Sequence, residues 1–235
     1  MNSPLCVEGG ELDDVRLCWA DVEALSSSKT EQMLAVLSPS EKERYRRFRH
    51  QPSRQCHLIT RHLVRHCLSE LGDSGPATWR FGVRRWGRPF LENPTEQLEQ
   101  LDFNIAHSRF KTVVAISFRG RIGVDLEPVQ RRVDSDLVAE KFFHISEKKQ
   151  LRGLDGQPRR LRFLQLWVLK EAWMKADGRG IGAGLSEVVF HFDDAGNPSL
   201  VSVPNGDVEP WKIELRRVDD HLLGLAWNPV ATRKR

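Results

Sequence analysis

The sequence predicts an α+β fold built from two similar halves, a pseudo-dimer carried on one chain, and three observations lead there. Ser40-Glu41-Lys42 recurs as Ser146-Glu147-Lys148, an offset of 106 residues. The same offset of 106 sets Leu58 on Leu164, Leu63 on Leu169 and Leu68 on Met174, and VRLCWADVE from Val15 beside RIGVDLEPV from Arg121. Each half then reads in one order: a short strand, a capped charged helix, a longer helix with an apolar stripe, then strands. The halves run over 1–118 and 122–235, with a short linker at 119–121 where an apolar strand meets Arg119, Gly120 and Arg121. A ligand site in such a protein is expected in the cleft between halves.

The elements follow from local chemistry. Alternation marks the strand from Val15. Ser38 or Ser40 is placed to cap the helix that carries Arg44, Arg46, Arg47 and Arg49, because a serine hydroxyl accepts from a free N–H of the first turn. Further strands of the first half are predicted near Thr78–Val83, Phe103–Ala106 and Thr112–Phe118. In the second half, Leu161, Leu164, Val168, Ala172 and Ala176 keep helical spacing and form a core stripe. Trp167, Glu171 and Lys175 form a second stripe on that helix, which runs out at Gly178; the loop to Gly184 contains four glycines. Strands follow near Glu187–Phe192, Trp211–Leu215 and Leu222–Trp227.

Composition narrows the function. Of 235 residues, 40% are hydrophobic and 29% charged, which suits a folded domain with a real core. No apolar run approaches the roughly 20 residues a membrane helix needs. The start, MNSPLCVEGGELDDV, lacks a basic segment followed by an apolar run, so a cytoplasmic location is expected. Cys6, Cys18, Cys56 and Cys67 have no metal-type spacing and read as reduced thiols. The net charge of +4 is uneven: residues 41–88 hold twelve Lys or Arg against four acids. That concentration suggests an anionic partner, whether nucleic acid, a phosphorylated cofactor or an acidic protein.

Three segments could carry chemistry. In Gly123-Val124-Asp125-Leu126-Glu127-Pro128 the alternation puts Asp125 and Glu127 on one strand face, where two carboxylates repel unless a cation joins them. A solvated face is the plain alternative. Glu171 and Lys175 are four apart on their helix, which is also the spacing of an ordinary surface pair. The strand Phe103-Asn104-Ile105-Ala106 ends in His107 and Ser108, both able to donate to an anion.

In order and spacing, FNIAHS, GVDLEP and WVLKEAWMKADGRGIG resemble the motifs of the 4'-phosphopantetheinyl transferases, and of their larger, two-halved, monomeric type. Ser38-Pro39 with Glu41, Arg46-Arg47-Phe48 and Gly87-Arg88-Pro89 extend the resemblance over residues 38–186. Ala106 stands where the family has serine, and Arg88 where lysine is common. The resemblance implies transfer of the 4'-phosphopantetheine arm of coenzyme A to a serine of an acyl or peptidyl carrier protein. It implies a magnesium ion on Asp125, Glu127 and Glu171. It casts Glu171 and Lys175 as catalytic, and Arg44, Arg88, His107, Ser108, Lys170 and Lys175 as contacts to coenzyme A. A basic nucleic-acid-binding protein is the alternative; it accounts for the arginines but not for the carboxylates.

Overall fold

The computed structural model describes residues 6–9, 14–131, 134–180, 184–204 and 206–230. Chain contacts divide it into two compact units, Met1–Arg119 and Gly120–Arg235.

In the first unit β1 (Cys6–Gly9) and β2 (Val15–Asp21) precede three helices, α1 (Ser27–Ala35), α2 (Pro39–Arg47) and α3 (Gln51–Gly72). A small hairpin, β3 (Phe81–Val83) and β4 (Pro89–Leu91), leads to β5 (Asp102–His107) and β6 (Lys111–Ser117). The main sheet is antiparallel in the order β1-β2-β6-β5. The second unit has β7 (Arg121–Pro128), α4 (Ser135–Phe142), α5 (Ile145–Arg152), α6 (Gly156–Asp177), the hairpin β8 (Val189–Phe192) and β9 (Pro198–Ser202), then β10 (Lys212–Val218) and β11 (His221–Asn228). Its main sheet runs β10-β11-β7, which is the order β5-β6-β2 of the first unit repeated. The element order thus repeats from β2 onward.

The helix ends are written in the sequence. Ser38 accepts from the Glu41 N–H at 3.3 Å while Glu41 accepts from the Ser38 N–H at 2.9 Å, a reciprocal cap with Pro39 in the first turn. In the second unit His144 takes the place of the serine: its Nδ1 accepts from the Ser146 N–H at 3.2 Å, and Glu147 accepts from the His144 N–H at 2.9 Å. So Ser38, not Ser40, is the capping counterpart, and the offset of 106 holds between these caps. Helix α6 stops at Gly178, whose φ of 79° lets its N–H reach the Met174 carbonyl at 2.9 Å.

Each capping glutamate is buried against a cation from the long helix. Arg65 of α3 donates Nη2 to Glu41 at 2.6 Å and Nη1 to the Pro76 and Trp79 carbonyls at 2.7 and 3.0 Å. Lys170 of α6 pairs with Glu147 at 2.8 Å and donates to the Leu185 carbonyl at 2.9 Å and to that of Val188. The same latch therefore ties the second helix, the long helix and the following loop in both units. Arg65 and Lys170 are 105 apart, so the offset slips by one between the caps and the long helices, each of 22 residues.

The strands follow the slipped register. Cys18 of β2 touches Cys67 of α3, and Thr112 of β6 hydrogen-bonds Thr60 of α3 at 3.0 Å, which identifies the helix-facing side of the first sheet. An offset of 105 matches Cys18 with Gly123, which faces α6; an offset of 106 would match Leu17 and turn the strand over.

Candidate active site

Gly123 and Gly224 set the height of α6 above its sheet. A Cβ on Gly123 would lie 2.0 Å from the Ala172 carbonyl oxygen, and one on Gly224 would lie 2.4 Å from that of Val168. Only bare strand backbone fits under the helix there. Asp125 pairs across the sheet with Gly224 and shares the face of Gly123, so it emerges beside α6. Glu127 follows on the same face. Glu171 and Lys175 rise from α6 one turn apart.

The side chains meet across this seam. Lys175 Nζ donates to Asp125 Oδ1 at 2.7 Å and to the Val124 carbonyl at 3.0 Å. Asp125 is buried, and its Oδ2 has no hydrogen-bond partner. Glu127 accepts from Arg131, four residues on, and the Arg131 guanidinium lies 6.0 Å from the Trp167 ring centroid. Burial, and then the charge of Asp125, push the Glu127 carboxyl up to about 7; Glu171 adds to this, and Arg131 and Lys175 oppose it. Glu171 is likewise pushed up to about 7 by burial and Asp125, against Lys175 and Arg131. Three carboxylates and two cations therefore share one electrostatic neighbourhood.

Among the described residues no three acid, histidine or cysteine side chains already close around a metal-sized point. The donor chemistry nevertheless fits a hard divalent cation. The donors are all oxygen, one Asp125 oxygen is buried without a partner, and two crowded carboxyls are pushed toward protonation, a strain a cation would relieve.

Lys170 does not join this set. It is fully buried, its ammonium is taken by Glu147 and two carbonyls, and burial pulls its pKa down. An ammonium has three protons, and all three are committed inside the unit. The expectation that it contacts a cofactor phosphate is corrected to the latch role of Arg65.

The remaining expected residues lie in the first unit. Arg44 is exposed on α2, near enough to His57 and Arg61 to act on their protonation. Arg88 pairs with Asp102 and also reaches the Phe103 carbonyl at 3.4 Å, joining β4 to β5. His107 is exposed at the end of β5. The Ser108 hydroxyl accepts from the N–H groups of Phe110 and Lys111 at 3.3 and 3.2 Å, closing the β5–β6 turn.

Sequence reasoning did not find Arg131, which stands on a turn where no periodicity links it to Glu127. It also passed over Gly123, although a lone glycine inside an apolar strand signals close backbone approach.

Comparison with known proteins gives one family. A model described as the 4'-phosphopantetheinyl transferase superfamily matches residues 121–226, and one described as the N-terminal part of 4'-phosphopantetheinyl transferase matches residues 24–118. The slr0495 protein of Synechocystis, assigned as a 4'-phosphopantetheinyl transferase, is 30% identical over 82% of this chain and 80% of its own length. A 4'-phosphopantetheinyl transferase of Bacillus subtilis is 29% identical over 83% of this chain and 84% of its own. HetI of Nostoc, of the same description, is 27% identical over 92% and 91%.

Proposed function

The chain belongs to the 4'-phosphopantetheinyl transferase superfamily, and on that premise we propose that Asp125, Glu127 and Glu171 hold a magnesium ion beside the reacting pyrophosphate. The enzyme transfers the 4'-phosphopantetheine moiety of coenzyme A to a serine of a carrier protein. The nucleic-acid reading of residues 41–88 falls away. No helix among the described residues is long and apolar enough to cross a membrane.

The observation that supports the ligand set is the Asp125 carboxylate, buried with one oxygen unpartnered between two carboxyls raised to about 7. Magnesium bound there would supply charge to the pyrophosphate oxygens as negative charge builds on them. In the transfer, the carrier serine oxygen bonds to the pantetheine phosphorus and the bond to the bridging pyrophosphate oxygen breaks. Adenosine 3',5'-bisphosphate leaves. Glu171, beside the cation and on the helix next to Asp125, is assigned to accept the serine proton directly or through water. Lys175 holds Asp125 in place and is assigned to the departing phosphate by its motif position. Arg44, Arg88, His107 and Ser108 are assigned to the phosphates of coenzyme A by their motif positions. One chain supplying both units is read as a working monomer.

Intact-mass analysis of a carrier protein incubated with this chain, coenzyme A and magnesium tests the reading. A gain of one phosphopantetheine, lost on chelation and in Asp125→Ala, is expected. Full turnover in Asp125→Ala with unchanged magnesium dependence would overturn the ligand set and leave the activity standing.

A further inference from the structure

Helix α3 carries a second cluster, far in sequence from the carboxylates of β7 and α6. His62 and His66 stand one turn apart, and their ring centroids are 4.1 Å apart with the planes tilted by 43°. In register they occupy the places that Trp167 and Glu171 hold on α6, with Glu70 at the place of Lys175. His62 Nδ1 and His66 Nε2 are both buried and have no hydrogen-bond partner.

An imidazole nitrogen buried without a partner is costly, and here two lie in one pair of touching rings. Neither ring reads as a cation. Burial first, then His66 and Lys29, push His62 down to about 4. Burial lowers His66 against the pull of Glu70. Around neutral pH both rings are therefore uncharged, the form that binds metals. In a neutral ring the proton sits on one nitrogen, so His62 Nδ1 and His66 Nε2 are free to present lone pairs while the other nitrogens carry the protons.

We propose that His62 and His66 form a chelate for a borderline divalent transition cation such as zinc, separate from the magnesium site. Two histidines four apart on one helix face make a known two-nitrogen bite for zinc. Imidazole selects zinc, nickel or copper over magnesium, which prefers oxygen. The two rings supply two protein donors, and Glu70, one turn on and near enough to act on the protonation of His66, is the carboxylate at hand. Lys29 is the opposing charge, and Glu23 partly offsets it at 3.6 Å. Magnesium should not compete, because neither ring offers it an oxygen.

The test is calorimetric titration of zinc into the full chain, stripped of metal and held in saturating magnesium. One zinc per chain is expected, with affinity weakened roughly tenfold or more in His62→Gln and in His66→Gln. Equal stoichiometry and affinity in the double variant, or no binding to the unsubstituted chain, would overturn the proposal. A readout that needs no variant is the ring nitrogen shift of His62 and His66 on adding zinc. Movement of both supports the site, and stationary rings sink it even if zinc binds elsewhere.

Discussion

The seam between long helix and sheet differs between the two units, although the topology does not. In the second unit Gly123 and Gly224 leave only backbone beneath α6. In the first unit the corresponding seam is filled by side chains: Cys18 against Cys67, and Thr112 hydrogen-bonded to Thr60. All four of those residues are buried. The strand positions matching Asp125 and Glu127 are Ala20 and Val22, so the first seam has no acid to present. The lesson is that two copies of one topology can differ most in what fills the seam between helix and sheet. Lowering the helix lets the Lys175 ammonium reach both a strand carbonyl and the Asp125 carboxylate.

The largest effect should come from the latch that both units share. Lys170→Ala leaves Glu147 buried without its cation, and the expected cost is about 3–5 kcal/mol in denaturant unfolding. Arg65→Ala should cost about as much through Glu41, by the same argument. If Lys170→Ala kept its stability and lost coenzyme A affinity instead, the equivalence of the two latches would be broken and the phosphate role restored. Next, Lys175→Ala should lower turnover by about 10²–10³-fold, with a smaller change in the Michaelis constant for coenzyme A. Equal changes in both would show that Lys175 only binds the ground state.

The thin seam predicts a sharp asymmetry. Gly123→Ala forces a Cβ against the Ala172 carbonyl and should cost about 1–3 kcal/mol or more. Cys18→Ala, at the matching place in the first unit, removes one sulfur and should cost only about 1 kcal/mol. Urea unfolding of the two variants measures the contrast, and similar losses would deny that the seams differ in kind.

A gentler probe is pH. The folded carboxyls of Glu127 and Glu171 are raised to about 7 from 4.5, so between these values the folded chain holds protons that the unfolded chain has released. Without metal, the part of the stability that Glu127 and Glu171 contribute should grow as pH falls from 8 toward 4.5, by at most about 1.4 kcal/mol per pH unit for each group, while His57 and His62, held down to about 4, work in the opposite direction below 6.5. Glu171→Gln should flatten this slope. Magnesium affinity should move the other way, weakening as pH falls through 7, because the cation must displace those protons.

Much of this was legible in the sequence. The alternation in GVDLEP placed Asp125 and Glu127 on one face, and the helical spacing of Glu171 and Lys175 put them one turn apart. The duplication was visible in the capping glutamates. What was not legible depends on partners distant in the chain. Lys170 was given to phosphate because its latch needs Glu147, 23 residues earlier, and carbonyls in the loop after the helix. The strand register slipped by one because an identity match carries no information on which face meets the helix. The short strands β4 and β9 were missed, since proline opens each of them and masks the pattern.

The register of β7 has a further consequence for the order of assembly. Asp125 lies opposite Gly224, and the two are 99 residues apart in the chain. The latches, by contrast, close loops of 23 or 24 residues, from Glu147 to Lys170 and from Glu41 to Arg65. Short loops close at lower entropic cost and sooner than long ones. As the chain leaves the ribosome, the helical frame of each unit can form while β11 is still unmade. The carboxylate pair then has α6 beside it but not yet its neighbouring strand, so the sheet beneath the seam is among the last parts of the unit to close.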